Sequence, residues 1–289
     1  MFDHYLITRF NLRNPKWEVT KNHETLLTDE WMEDRMWLFE TFCFPSVVAQ
    51  TNTNFSWILY LDTTTTDKYK QRMQQLVANH PNIHLFYIDG MPAFSTEAKK
   101  LIAQRSADKS YIITSRIDND DCIHQDFINE IQQKFDSQAY QVIDIINGYS
   151  LQIKPNFMLG KKDHIFNPFI SLIEKNNNPK TVWSNDHTMW KNERRVTQIK
   201  GKRLWMSIIH EKNKVNEFNG YGDVSWEAIK SDFNVSNEID DEITAKLIPH
   251  KKWRYLSLRN SVHIKFEIFS KLLKKRLGIY KIKQLFSKS

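Results

Sequence analysis

Lys109-Ser-Tyr-Ile-Ile-Thr-Ser-Arg-Ile-Asp-Asn-Asp-Asp-Cys122 is the stretch on which the fold turns. It begins as a hydrophobic run of the kind that forms a strand buried in a sheet, and it ends in Arg116, Asp118, Asp120 and Asp121. Three carboxylates within four residues repel one another and sit poorly in a core, so they belong just past the strand's carboxyl end. Open α/β sheets keep their ligands at that edge. In extended chain Asp118 and Asp120 point to one side and Asn119 and Asp121 to the other, so one side offers a paired oxygen site. A cation there would relieve the repulsion and, with open positions, hold the phosphates of a substrate. A solvated acidic turn, or a helix cap with spare charge, fits the same spacing. It is not an EF-hand loop, because the required glycine and closing glutamate are missing.

Working outward, residues 4–10, 55–62 and 83–88 read as earlier strands. A helix opens at Thr28 or Asp29, with Asp29 and Glu30 where negative charge is favoured, and Pro45 should end or bend it. Further helices are expected over 67–79 and 96–108, with Gly90, Met91 and Pro92 as an exit loop between strand and helix. This alternation predicts a layered, mostly parallel α/β sheet of βα units, with Asn11, Asp62, Gly90 and the acidic turn along one rim. Residues 141–146 and 149–153 read as a hairpin hinged on Asn147-Gly148, which makes the sheet mixed. Residues 155–205 suggest long loops with short helices, 205–210 a short strand ending at His210, and 226–247 partly helical structure.

The length of 289 residues allows one large α/β domain, or a main domain with a small appendage. Aromatic residues at 13% exceed what a plain scaffold needs, so some are expected to wall a ligand cleft. Cys43 and Cys122 fall in core-like segments, which points to a reduced compartment and no disulfide framework. No apolar run is long enough to cross a bilayer and the amino terminus lacks signal-peptide features, so the expected location is the cytoplasm. The formal charge of +7 is carried by residues 262–289, where Glu267 is the single acid, and the remainder is about neutral. That distribution suggests an anchor or docking arm rather than a nucleic-acid binder. With Gly 7 in the whole chain, no dinucleotide or P-loop fingerprint is present, and phosphates would have to be held by metal and basic side chains.

Tyr111-Ile-Ile-Thr-Ser-Arg-Ile-Asp-Asn-Asp-Asp-Cys-Ile-His-Gln-Asp-Phe-Ile128 resembles the strand and aspartate (DXD) motif of glycosyltransferases with the GT-A fold, Arg-x-Asp-x-Asp-Asp followed by a helix. Phe55-Ser-Trp-Ile-Leu-Tyr-Leu-Asp-Thr-Thr-Thr-Thr-Asp67 resembles their second strand. From Phe2-Asp-His-Tyr-Leu-Ile-Thr-Arg-Phe-Asn11 through Phe166-Asn-Pro-Phe-Ile-Ser-Leu-Ile-Glu174, the chain is similar to a bacterial family described as rhamnosyltransferases. The resemblance implies a GT-A-like domain over 1–260, with a nucleotide-sugar and metal half at 1–150, an acceptor half at 151–260 and a basic tail at 261–289. It implies Mn2+- or Mg2+-dependent transfer of a sugar from a nucleoside diphosphate sugar to a glycan or lipid-linked acceptor, with inversion. Rhamnose is the sugar in the family's description. Carried over residue by residue, Asp62 matches the nucleoside-contacting aspartate, and Asp118 the carboxylate facing the donor and reaching the metal indirectly. Asp120 matches the metal ligand, Asp121 the extra acidic position, and Arg116 the basic residue before the motif, able to pair with carboxylate or phosphate.

An inverting transfer also needs a base for the acceptor hydroxyl. Asp186, in Trp183-Ser-Asn-Asp-His187, resembles the second member of the Glu-Asp pair that supplies it in relatives, although Asn185 stands where the first acid belongs. A loop aspartate capping Thr188 onward fits equally, and Asp163 and Glu211 are reserves. His210, ahead of His187, is the candidate to complete the metal shell, against a hydrogen-bonded structural histidine. Arg9 is a diphosphate or base contact, or a rim ion pair. The basic patch of Lys191, Arg194, Arg195, Lys200, Lys202 and Arg203 either closes over donor phosphates or is a solvated loop. Trp183 and Trp190 either stack on sugars or pack in the core. Residues 263–288 alternate apolar and lysine positions, as an amphipathic segment does on the anionic inner face of the membrane, or when docked on a partner or on its own domain. The competing readings are a nucleotidyltransferase, disfavoured by the missing glycine-rich phosphate loop, and a non-enzymatic basic surface-binding or nucleic-acid-binding protein, disfavoured by the neutral body.

Overall fold

The computed structural model describes residues 1–15, 27–212 and 217–280. Four strands, β1 (Phe2–Arg9), β2 (Ser56–Asp62), β3 (Ile83–Ile88) and β4 (Tyr111–Arg116), form a parallel set in the spatial order β4, β1, β2, β3. Their sequences are apolar almost throughout because helices cover both faces. Leu6, Trp57, Leu59 and Ile113 pack toward one side, whereas Tyr5, Ile7, Ile58, Tyr60 and Ile112 meet Phe94, Ala98 and Ile102 on the other. The chain runs from β1 to β2 and β3 on one side and then returns to β4 on the other. The order of strands therefore reverses between β1 and β4, where open sheets leave a crevice at their carboxyl edge.

Helix α1 (Asp29–Leu38) starts where expected, with the Thr28 hydroxyl accepting from the Trp31 amide at 3.2 Å. Helical backbone continues through Pro45 rather than ending there. A π-helical turn over Phe39–Cys43 leads into α2 (Phe44–Val48). The carbonyl of Thr41, which Pro45 cannot serve, accepts instead from the Ser236 amide at 2.9 Å. Helix α3 (Asp67–Val77) agrees with the amphipathic spacing. Helix α4 (Gly90–Arg105) begins six residues earlier than the expected 96, since Gly90 to Pro92 form its first turn and not a loop. Pro92 is tolerated there because the first-turn amides have no intrahelical acceptor.

Beyond the acidic turn come β5 (Cys122–Ile123), α5 (Phe127–Gln132), β6 (Tyr140–Ile145) and β7 (Asn147–Gln152). The expected hairpin is not formed, because β6 and β7 belong to different sheets. β6 pairs with β9 (Ser171–Lys175) and β10 (Val196–Ile199) in a seven-stranded sheet. β7 pairs with β8 (Met158–Asp163) and β11 (Trp205–Ile209) in a four-stranded one. What Asn147-Gly148 provides is close approach rather than reversal. A Cβ on Gly148 would lie 2.2 Å from the Trp205 ring, and Asn147 binds Asp163 and the Gly201 amide. The segment read as loops thus contains three strands as well as 3-10 turns at Val182–Ser184 and His187–Asn192. β9 runs antiparallel between β4 and β6, which makes the large sheet mixed. Helices α6 (Lys230–Phe233), α7 (Asn237–Lys246) and α8 (Arg254–Arg276) complete the chain. α8 starts before the tail expected from residue 261, and residues 281–289 of that tail lie outside the described region.

Candidate active site

A cleft of about 1120 Å³ lies over the carboxyl ends of β1 and β4. The strands align Ile7 opposite Arg116, so Arg9 and Arg116 follow one another on the same sheet face at the rim. Both guanidiniums lie over the Trp183 ring, Arg9 at 3.9 Å and Arg116 at 3.7 Å from its centroid. Two guanidinium groups cannot share one face at those distances, so the indole stands between them. Its placement has a local cause, because the Val182 amide donates to the Thr114 hydroxyl of β4 at 2.8 Å and pins the 3-10 turn beside Arg116.

Arg116 is 3% exposed, and its Nε and Nη1 have no hydrogen-bond partner among the described residues. Nη2 is 3.8 Å from the Asp118 carboxylate. Burial pulls its pKa down to about 10, with repulsion from Arg9 adding to the effect and Asp118 opposing it. Burial lowers Arg9 as well, and Asp118 and Asp186 partly restore it. Each N–H left bare by the protein is a donor available to an anionic ligand.

The acidic turn is held from below by Asn119, whose Nδ2 donates to the Phe10 carbonyl at 2.7 Å. Asp120 Oδ2 accepts from Arg35 Nη1 at 2.8 Å and lies 3.2 Å from His210 Nε2. Burial opposes the charge of Asp120, yet Arg35 and His210 overcome it and hold its pKa well below the usual carboxylate range. Asp121 points the other way, into β11, where Oδ1 accepts from the Ile208 amide at 3.0 Å. Burial, then the charges of Asp120 and Asp118, push Asp121 well above that range, with Lys162 opposing. Neighbouring carboxylates are thereby shifted in opposite directions, Asp120 down and Asp121 up.

The remaining candidates are scattered around this centre. Asp186 is an exposed cleft residue near Arg9 and Arg116, just before the second 3-10 turn. His187 also lines the cleft, and burial with the nearby Arg116 lowers its pKa to about 4, which leaves it neutral at pH 7. Asp62 is buried and does not line the cleft. Its oxygens accept from the Arg13 amide and guanidinium and from Thr64, so it braces the β2 exit. Asp163 is engaged by Arg203, Asn147 and Tyr221, and Glu211 is exposed after β11. None of the six basic residues between 191 and 203 lines the cleft, and Trp190 is core. Arg35, Lys162 and the role of Trp183 as a spacer had no local sequence signal.

A divalent cation can be tested against these positions. In octahedral geometry with bonds of about 2.1 Å, adjacent ligand atoms lie about 3 Å apart, which suits Asp120 Oδ2 and His210 Nε2. Asp118 turns toward Arg116 instead, and Arg35 occupies the same Asp120 oxygen. Among the described residues no group of three His, Cys, Asp or Glu side chains is arranged to hold a metal. Of the described candidates, only Asp120 Oδ2 and His210 Nε2 have ligand spacing, and the oxygen they would offer is already bonded to Arg35.

The fold and cleft define a mixed α/β protein with a crevice at the switch point of a largely parallel sheet. Residues 3–221 match the family described as "Putative rhamnosyl transferase", and the chain belongs to that family. Among solved structures it is similar to S. aureus TarS 1-349 in complex with UDP-GlcNAc, at 13% identity and a TM-score of 0.43, covering 84% of this chain and 70% of that one. It is also similar to a "putative nucleotide-diphospho-sugar transferase" from Desulfovibrio desulfuricans G20, at 13% identity and 0.40, covering 85% and 98%. The chain spans 60% of a further TarS 1-349 structure and 42% of the longer TarS chain. No curated protein matches it.

Proposed function

We propose that the protein transfers a sugar, rhamnose by the family's description, from a nucleoside diphosphate sugar to a glycan or lipid-linked acceptor, on a GT-A-like domain. The observation that carries this reading is the stack of Arg9, Trp183 and Arg116 beside the Asp118 to Asp121 turn on one rim. It offers two stacked guanidiniums, one of them the buried and incompletely paired Arg116, next to carboxylates at the edge where such sheets bind ligands. Membership of the family supports a transferase role.

In this reading Arg9 and Arg116 receive the diphosphate. Asp118, poised beside Arg116, faces the donor ribose or sugar, and Asp121 supports the turn from within. Asp120 and His210 would hold Mn2+ or Mg2+, and Arg35 passes from Asp120 to a phosphate oxygen. A divalent cation, when bound, supplies positive charge against the leaving diphosphate. Asp186 is exposed at the acceptor side of the arginine pair and takes the proton from the attacking hydroxyl. Asp62 sets the β2 exit against which the nucleoside lies.

The test is isothermal titration with a panel of nucleoside diphosphates with and without Mn2+, followed by hydrolysis of the matching nucleotide sugars. Cation-enhanced binding that Asp120→Asn abolishes supports the reading. Release of sugar 1-phosphate and nucleoside monophosphate, in place of free sugar and nucleoside diphosphate, would replace it with nucleotidyl chemistry.

A further inference from the structure

Helix α8 presents three unlike faces. Ser257, Asn260 and Ile264 are buried against the body, with Asn260 donating to the Gly220 carbonyl at 3.0 Å and the Ser257 hydroxyl accepting from the Gly222 amide at 2.8 Å. Arg259, Asn260, His263, Ile264 and Glu267 form one wall of the cleft. On the side away from the body, Tyr255, Leu258, Val262, Phe266, Phe269, Leu273 and Leu277 recur every three or four residues. All seven are exposed, Phe266 by 69%.

The flanks of this stripe are basic. Arg254, Lys265 and Arg276 run along one edge and Arg259 and Lys274 along the other, all exposed. The helix's single acid, Glu267, is turned to the cleft side and paired with Lys271 at 2.6 Å. The sequence beyond residue 280 continues with Lys281, Lys283 and Lys288 among Ile282, Leu285 and Phe286. A second copy laid on this stripe would bring basic rows together with no outward acid to meet them. An anionic bilayer surface satisfies both features at once, since acyl chains take the apolar stripe and headgroup phosphates take the arginines and lysines. No described helix is long and apolar enough to cross a membrane, which agrees with a helix lying in the interface.

We propose that α8 docks this protein on an anionic membrane surface through the stripe from Tyr255 to Leu277. Because the adjoining face of the same helix walls the cleft, docking places the cleft beside the headgroup layer. The docking does not depend on the donor chemistry proposed above, and the Asp120→Asn protein still docks.

The experiment is flotation of the full chain with vesicles of phosphatidylcholine alone or mixed with phosphatidylglycerol. Wild type should bind the mixed vesicles at least about tenfold more tightly, and added salt should weaken that binding. Phe266→Ser/Phe269→Ser and Lys265→Glu/Arg276→Glu should each reduce it by about tenfold or more with unchanged thermal melting, because the altered side chains face solvent. A bimane on Val262→Cys should be quenched by brominated lipid, and one on Gln75→Cys should not. Equal binding to both vesicle types, or unchanged binding of both double variants, overturns the proposal. So does a wild-type dimer that Phe266→Ser/Phe269→Ser dissolves while no protein floats with vesicles.

Discussion

The carboxylate of Asp120 and the imidazole of His210 meet at 3.2 Å although ninety positions separate them in the chain. β4 ends in the acidic turn, β11 ends just before His210, and the turn's Asp121 locks the two together through the Ile208 amide. If the pair acts as one cation-binding unit, Asp120→Asn and His210→Ala should each remove cation-dependent nucleotide binding. The double variant should then lose little more than either alone, which a titration cycle would reveal. Additive losses would mean that the two side chains serve separate purposes.

Arg116 makes a prediction with two opposite signs. Its guanidinium is buried with two nitrogens that have no hydrogen-bond partner among the described residues, an arrangement that opposes folding. Arg116→Met should therefore raise stability, by about 1–4 kcal/mol in denaturant titration. Donor turnover should fall by about 100- to 1,000-fold in the same protein. A destabilised variant with normal turnover would make Arg116 a structural residue.

The first half of the fold was legible because its signals are local. The apolar runs of β1 to β4, the Thr28 cap and the acidic turn can each be read within a dozen residues. What escaped was decided at long range. Asn147-Gly148 satisfies the local rules of a tight turn, but the space beside Trp205 selects the glycine and sends β7 to another sheet. β9, Ser-Leu-Ile-Glu-Lys, lies in a polar segment and becomes a strand through neighbours on both sides. Arg35 and Asp120 are 85 residues apart, and nothing around Arg35 announces its partner. Asp62 had the right position on its strand, but Arg13 and Thr64, which engage its oxygens, are visible only in three dimensions.

Gly148 allows a direct test of that junction between sheets. Trp205 stacks on Phe169 with ring centroids 4.9 Å apart, and its indole N–H donates to the Ile145 carbonyl at 2.8 Å, so it cannot retreat from an added methyl. Gly148→Ala should cost about 3 kcal/mol or more, read as a lowered denaturation midpoint. A near-neutral result would show that β7 can shift away from the ring.

Asp144 couples stability to pH away from the cleft. It is fully buried in β6, accepts from the Phe166 amide at 3.0 and 3.1 Å, and burial raises its pKa from 3.8 to about 6. Between about pH 4 and 6 the folded chain keeps this proton while the unfolded chain has released it. Folding therefore takes up a proton there, and stability falls as pH rises through the window. The shift of about two units corresponds to about 3 kcal/mol lost from this group by pH 7. Asp144→Asn carries no titrating proton, so its urea midpoint should stay flatter than that of the wild type from pH 4 to 7 even if the amide meets Phe166 less well. Parallel pH profiles for the two proteins would place the titration elsewhere and leave Asp144 ionised in the fold.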